Sequence, residues 1–122
     1  MKKEIVIGAT RLGPYSAAVE NNGTLYVSGQ LGINADGNLV GPDAASQACR
    51  ALERAKFIVE AAGYTMDSVL KCLVFLTDMS DFTAVNEVYE TFFTTPYPAR
   101  SCVQVAALPR GGKVEIEMIA GK

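Results

Sequence analysis

Histidine and tryptophan are both absent from the 122-residue sequence, and cysteine occurs only three times. Without histidine there is no Ser-His-Asp or Cys-His arrangement for nucleophilic catalysis, and the most common metal ligand in proteins is missing. Cys49, Cys72 and Cys102 are widely spaced and odd in number. This pattern predicts no metal site and no disulfide framework, and it favours a reducing, cytoplasmic location. Acid–base chemistry therefore falls to Glu, Asp, Tyr, Lys, Cys or bound water.

Long apolar runs and a strong charge of one sign are absent as well. No segment approaches the ~18 consecutive apolar residues of a membrane span. The net charge of −2 gives no general attraction to nucleic acid or to anionic membranes. The opening residues, MKKEIVIGAT, enter an alternating pattern and lack the apolar core of a secretory signal. With 49% hydrophobic residues, the chain predicts one compact domain, residues 1–122.

The first part of the chain has the pattern of strands separated by tight turns. Lys2–Gly8 predicts a first strand. Asn22-Gly23 stands between two β-prone runs and predicts a hairpin turn, because both residues tolerate a positive φ. Asp36-Gly37 predicts a second turn.

Two segments carry helical signals. The first helix is expected to start at Pro42 or Asp43 and to end at Gly63. Its apolar residues recur at helical spacing on one face: Ala48, Ala51, Leu52, Ala55, Ile58, Val59 and Ala62. The second helix lies in SDFTAVNEVYETFF, with Ser80 or Asp81 as its expected cap.

Val69–Met79 is apolar at nearly every position, which is typical of a strand that is covered on both faces. The segment from Tyr97 to Lys122 predicts two more strands joined by a short turn at Pro109–Gly112. The order is then β-β-β-α-β-α-β-β, an α+β domain in which two helices cover one face of a mixed sheet. We expect a second copy of the chain to cover the other face, so the pattern predicts a homo-oligomer.

The last two strands carry charges that packing alone does not require. By alternation, Arg100 shares a face with Cys102, and Glu115 and Glu117 share the face opposite the apolar residues of their strand. Both polar sides are expected to point towards the oligomer contact. One hypothesis is an ion pair between Arg100 and a glutamate, across the sheet or between subunits. The other is a guanidinium left free for a ligand carboxylate, with a glutamate that holds a water molecule.

Five blocks of the sequence extend this reading: GPYS (13–16), YVSGQLG (26–32), VNEVY (85–89), PARSCVQVAALP (98–109) and VEIEMIA (114–120). In these blocks the chain resembles the Rid family of reactive intermediate imine deaminases, also called RidA, YjgF-type or L-PSP proteins, and in particular its RidA branch. The resemblance implies a chorismate-mutase-like fold and a homotrimer with clefts between subunits. It also implies hydrolysis of 2-aminoacrylate and related 2-imino acids to 2-oxo acids and ammonia, without a cofactor.

The resemblance also assigns roles to residues of the matched blocks. Arg100 would bind the substrate carboxylate, and Glu115 would position and activate the attacking water. The remaining substrate-binding residues would be Tyr15, which closes the pocket and offers its hydroxyl, Ser28 and Gly29 on the floor, Asn86 from the second helix, and Cys102 on the wall. No metal ligand is implied.

Simpler explanations exist for several of these residues. Tyr15 could be an aromatic that packs in a turn, Ser28-Gly29 could mark a strand end, and Asn86 could pair locally on its helix. Two other functions also stay open: a trimer that binds small carboxylates or acts like a chaperone without catalysis, and an endoribonuclease. The acidic balance and the absence of histidine disfavour the ribonuclease.

Overall fold

The computed structural model describes residues 1–8 and 13–122. Two α-helices pack on one face of a six-stranded sheet in the described residues, in the predicted order β-β-β-α-β-α-β-β. The strands are β1 Lys3–Ile5, β2 Ala18–Asn21, β3 Thr24–Leu31, β4 Val69–Leu76, β5 Ala99–Gln104 and β6 Val114–Gly121, and the helices are α1 Ala44–Ala61 and α2 Phe82–Tyr89. The α+β prediction is confirmed. No helix among these residues is long and apolar enough to cross a membrane.

The sheet has the order β1-β2-β3-β6-β4-β5, in which only β4 and β5 run parallel. The expectation that the last two strands are joined simply by a short turn is wrong, because β6 lies between β3 and β4 while β5 forms the edge. The connection crosses the end of β4, where Val105 N donates to Leu76 O and Thr77 N donates to Lys113 O. The parallel β4–α2–β5 unit places β5 at the edge of the sheet, next to β4. The other edge of β4 then pairs with β6.

The predicted turns and the start of α1 are confirmed. Asn22 and Gly23 have φ angles of 52° and 78° in the β2–β3 hairpin. Asp43 caps α1, since its carboxylate accepts a hydrogen bond of 2.9 Å from Ser46 N. The start of α2 differs from the expectation, because Asp81 makes no side-chain cap. Asp78 instead accepts from Ser80 N and begins a short 3-10 turn that leads into α2.

Gln47 fixes the chain at Lys113, two residues before Glu115. This side chain is 1% exposed, and its Nε2 donates to Gly41 O at 2.8 Å while its Oε1 accepts from Lys113 N at 2.8 Å. Gly32 allows the close approach of this part of α1, because a Cβ there would overlap the Gln47 backbone. A buried amide with both ends satisfied thus ties α1 to the entry of β6.

The two faces of the sheet are covered differently. Beneath the helices, Val74, Ile116 and Met118 are almost wholly buried in the core. The opposite face, here called the open face, carries Glu115 and Glu117 together with half-buried or exposed apolar side chains: Tyr26, Leu73, Phe75 and Val103. The sequence predicts that β4 is covered twice, and the described residues cover it once.

Candidate active site

Arg100 lies on the edge strand β5, on the side of the sheet that faces α2. Its Nη1 donates to Asn86 Oδ1 at 2.7 Å. Its Cζ lies 4.8 Å from the centroid of the Tyr89 ring and 5.6 Å from that of the Phe82 ring. The three partners occupy positions i, i+4 and i+7 of α2 and therefore share one face of the helix. The guanidinium is thus held by two aromatic faces and an amide oxygen.

No carboxylate among the described residues forms an ion pair with Arg100. The expectation that Arg100 and Glu115 share the open face is wrong. In β4, Cys72 pairs with Arg100 whereas Phe75 pairs with Glu115, and residues 72 and 75 point to opposite faces. An ion pair across the sheet of one chain is therefore excluded. Alternation assigned the polar side of β5 to the wrong face of the sheet. A charged side chain is stable beneath α2 because two aromatic rings and an amide oxygen of that helix contact the guanidinium.

Glu115 stands at the start of β6, in a cleft of about 620 Å³. Four of the seven predicted site residues line this cleft, here called the Glu115 cleft: Tyr15, Ser28, Gly29 and Glu115. The other three, Asn86, Arg100 and Cys102, do not line it and lie on the α2 side of β5, here called the Arg100 half-site. One chain therefore presents the predicted site as two separate groups.

A β-bulge shapes the floor of the cleft. Between Val27 and Gln30, β3 advances by three residues while its partner β6 advances by two, from Met118 to Ile116. The additional residue falls at Ser28-Gly29, so the alternative that this dipeptide marks a strand end is wrong. A Cβ on Gly29 would lie 2.5 Å from Glu115 Oε2, and the glycine therefore makes room for the carboxylate.

Ser28 connects the bulge to the segment that carries Tyr15. Its hydroxyl donates to Ser16 O at 2.6 Å, and its backbone N donates to Ala17 O at 2.9 Å. The Ser28 hydroxyl is thus already engaged with the main chain, and it fixes the path of the residues after Tyr15. Tyr15 itself is 41% exposed and lines the cleft.

Electrostatics distinguish the Glu115 carboxyl from the Cys102 thiol as a reactive group. Burial raises the pKa of Glu115, and the neighbouring charge of Glu117 raises it further. Burial also raises the pKa of the Cys102 thiol, although the charge of Arg100 opposes the shift. The thiol is therefore protonated at neutral pH and a poor nucleophile. A carboxylate with a raised pKa, as at Glu115, is suited to take a proton from water.

Three contributors were missed by the sequence analysis. Phe82 and Tyr89 hold Arg100, and their spacing around Asn86 was a signal that could have identified them. Arg54 of α1 also lines the Glu115 cleft. It was overlooked because charges on the exposed side of an amphipathic helix usually have no specific role.

No group of three or more potential metal ligands occurs in residues 1–8 and 13–122.

Comparison with known proteins identifies the family. The family model described as Endoribonuclease L-PSP matches residues 8–122. A 2-iminobutanoate/2-iminopropanoate deaminase of Capra hircus is 49% identical over 110 residues, which cover 89% of this chain and 80% of the relative.

Solved structures agree with this match. RidA from the Antarctic bacterium Psychrobacter sp. PAMC 21119 superposes with a TM-score of 0.89 at 46% identity, over 93% of each chain. TdcF of E. coli with bound serine gives a TM-score of 0.92 at 40% identity, over 98% of each chain. The chain therefore belongs to the Endoribonuclease L-PSP family, the Rid family that its sequence motifs indicate.

Proposed function

We propose that this protein hydrolyses small 2-imino acids and their enamine tautomers, such as 2-iminopropanoate and 2-iminobutanoate, to 2-oxo acids and ammonia. The observation that carries the proposal is the guanidinium of Arg100, which is held in position without a carboxylate partner among the described residues. Such a group is suited to bind the carboxylate of an imino acid through two parallel hydrogen bonds. The name of the Capra hircus relative supports the same substrates.

The proposed site lies between subunits. Because Arg100 and Glu115 point to opposite faces of one sheet, a single chain does not direct both at one small substrate. The open face exposes Tyr26 and Val103, at 48% and 43%, which is consistent with a contact between copies. In a cyclic homotrimer, the Arg100 half-site of one subunit would meet the Glu115 cleft of the next, so each contact would complete one site.

The chemistry then needs few groups. Arg100 binds the substrate carboxylate, Asn86 keeps the guanidinium in place, and Cys102 lines the wall beside it. Glu115 takes a proton from a water molecule that attacks the carbon of the C=N bond, and the proton passes to the nitrogen. The resulting carbinolamine breaks its C–N bond and releases ammonia and the 2-oxo acid. Gly29 and Ser28 form the floor, and the Tyr15 hydroxyl closes the cleft. Catalysis consists of positioning and general-base assistance.

The first test uses an amino-acid oxidase to release an imino acid and follows its disappearance by semicarbazide trapping. We expect Arg100→Ala to lower kcat/KM by roughly 30-fold to several-thousand-fold, equivalent to about 2–5 kcal/mol for a buried charge left without its partner. The control is Arg50→Ala, which removes an arginine that lies outside the Arg100 half-site and does not line the Glu115 cleft. If Arg100 serves only as an ion-pair partner between subunits, the variant will dissociate before activity is specifically lost, which sedimentation will reveal.

A second test addresses the shared site. Subunits of Arg100→Ala and Glu115→Gln are unfolded together and refolded as a mixture. If each site combines Arg100 of one subunit with Glu115 of another, random assembly restores about a quarter of the sites. If a site uses both residues of one chain, the mixture stays as inactive as the two separate variants, and the inter-subunit proposal fails.

The other functions are distinguished by the same samples. Carboxylate binding that persists without turnover would favour the non-enzymatic trimer. RNA cleavage that is lost in Arg100→Ala would favour the ribonuclease. The cytoplasmic location stays a prediction from the three cysteines, which are unpaired in the structure.

A further inference from the structure

Arg54 lines the Glu115 cleft, so the same chain that carries Glu115 also places a guanidinium there. Its Nε donates to Gln30 Oε1 at 3.2 Å, and its Nη1 donates to Ile33 O at 3.5 Å. These contacts use only part of its donors, and they fix the side chain against the wall formed by Gln30 and Ile33. Gln30 is itself 5% exposed, so the contact that orients Arg54 is built into the interior.

Arg54 lacks the compensation that its neighbour on α1 has. Arg50, one turn earlier, also donates to Ile33 O, and it pairs with Glu53 at 3.6 Å. Arg54 is half-buried, and no carboxylate among the described residues pairs with it. Burial and the charge of Arg50 both lower the pKa of Arg54, which expresses the cost of placing this cation here. A half-buried cation without a counter-charge in a concave site is arranged for an anionic ligand.

The anion that Arg54 takes is not Glu115. Arg54 and Glu115 line the same cleft, yet no ion pair joins them among the described residues. Glu117 lines the cleft as well, so a substrate with an additional negative charge meets two carboxylates there. Among the described residues that line the cleft, Arg54 is the cation that could balance these negative charges.

The cleft has room for such a substrate. In the single chain its volume of about 620 Å³ lies within the usual range for ligand pockets of roughly 300–1,000 Å³. If the α-carboxylate binds Arg100 of the neighbouring subunit and the imine carbon faces Glu115, the substrate side chain extends within the cleft. We propose that Arg54 selects imino acids whose side chain bears a second carboxylate, the imines of aspartate and glutamate. This inference rests on the proposed function.

The test compares wild type, Arg54→Gln and Arg50→Gln. Aspartate oxidase and glutamate oxidase release the dicarboxylic imines, and an amino-acid oxidase acting on alanine or leucine releases the neutral ones. The measured quantity is the ratio of kcat/KM for a dicarboxylic imine to that for a neutral imine. We expect Arg54→Gln to lower this ratio about 10- to 100-fold, the range for a hydrogen bond to a charged group. Arg50→Gln controls for the lost contact with Ile33 O and should leave the ratio unchanged.

Two outcomes overturn the inference while the proposed function stands. An unchanged ratio in Arg54→Gln means that the guanidinium does not contact the side chain of the substrate. An equal loss for all imines means that Arg54 binds the common α-carboxylate or maintains the cleft.

A wild type that accelerates no imine defeats the proposed function instead. In that case, calorimetry compares the affinities for 2-oxoglutarate and pyruvate. This comparison tests whether Arg54 binds a second carboxylate without requiring turnover. A preference for the dicarboxylate that Arg54→Gln abolishes supports the inference, and equal affinities reject it.

Discussion

Arg100 and Glu115 are both half-buried charged residues, but side chains surround the first and the main chain shapes the space around the second. Side chains of one helix hold Arg100, since Phe82, Asn86 and Tyr89 reach it from a single face of α2. The main chain shapes the surroundings of Glu115, through the bulge in β3 and the missing side chain of Gly29. The position of Arg100 thus follows from residue spacing on one helix, whereas the space for the Glu115 carboxylate depends on an irregular backbone.

The two regions also differ in how their charge responds to pH. Arginine is effectively always charged in proteins, and the rings of Phe82 and Tyr89 lie where they attract a cation electrostatically. Burial and Glu117 act against the charge of Glu115 and raise its pKa. In the proposed site, the Arg100 half-site therefore provides constant binding while the Glu115 cleft provides a group that gains and loses a proton.

The largest expected effect comes from Glu115→Gln, which removes the proposed general base and keeps the shape of the side chain. We expect kcat to fall about 10²- to 10⁴-fold, the usual contribution of a positioned general base. In wild type, kcat should rise with pH as Glu115 ionises, with an inflection above the ordinary carboxyl range because its pKa is raised. The variant should lose that inflection. A pH–rate series on both proteins measures this, and rates within a few-fold at every pH would exclude general-base catalysis.

Thermal unfolding of the same pair of proteins provides an internal check. A glutamate whose pKa is higher in the folded than in the unfolded state favours folding in its protonated form. That contribution is present at low pH and is lost as the pH rises through the folded-state pKa. Glu115→Gln should therefore melt above wild type at neutral pH, and the difference should shrink on acidification. A variant that is less stable at neutral pH would show that Glu115 has a structural partner.

A smaller effect is expected from Gly29→Ala, which leaves Arg100 and its partners untouched. The new Cβ would lie 2.5 Å from Glu115 Oε2 and force the carboxylate away from its position. Displacement of a catalytic group by about 1 Å can lower the rate about 100-fold, and we expect a loss of kcat/KM of this order. The matched control is Gly13→Ala in the same cleft, where the nearest atom, on Tyr15, would be 3.8 Å away. Equal losses in both variants would contradict a specific role for Gly29.

The smallest effect is expected from Phe82→Leu, which removes one aromatic face from Arg100. A cation–π contact contributes about 0.5–2 kcal/mol, so we expect KM to rise about 2- to 30-fold with little change in kcat. Phe57→Leu is the control, because Phe57 is also exposed on a helix but lies away from Arg100. If Phe82→Leu lowers kcat and leaves KM unchanged, the assignment of binding to Arg100 and chemistry to Glu115 is wrong.

Much of the fold could be predicted from local signals. Asn22-Gly23 specified the hairpin because positive φ suits these residues, and Asp43 and Gly63 marked the limits of the α1 region. The alternation in β6 correctly placed Val114, Ile116 and Met118 in the core. The pairing of β5 and β6 could not be predicted, because neighbours in a sheet are chosen by long-range topology. Alternation alone does not show that β6 lies between β3 and β4.

The candidate site was predictable as a list of residues but not as an arrangement. The motifs named Arg100 and Glu115, yet they did not show that the two side chains leave the sheet on opposite faces. Alternation separates the two faces of one strand and cannot relate the faces of different strands. A glycine within a strand pattern, as at Gly29, is the signal that could have predicted the bulge. Arg54 gave no such signal, since its position in the cleft depends on Gln30 and on the main-chain carbonyl of Ile33.

The three cysteines have a consequence for the durability of the protein. Burial is the main cause of a raised pKa in Cys49, Cys72 and Cys102, so each thiol holds its proton at neutral pH. Imines of the proposed substrate class are electrophiles that thiolates attack. A chain without histidine and with three protonated thiols offers such compounds few nucleophiles of its own. The protonated state that makes Cys102 a poor nucleophile would also limit addition of the proposed substrates to the cysteines of the protein.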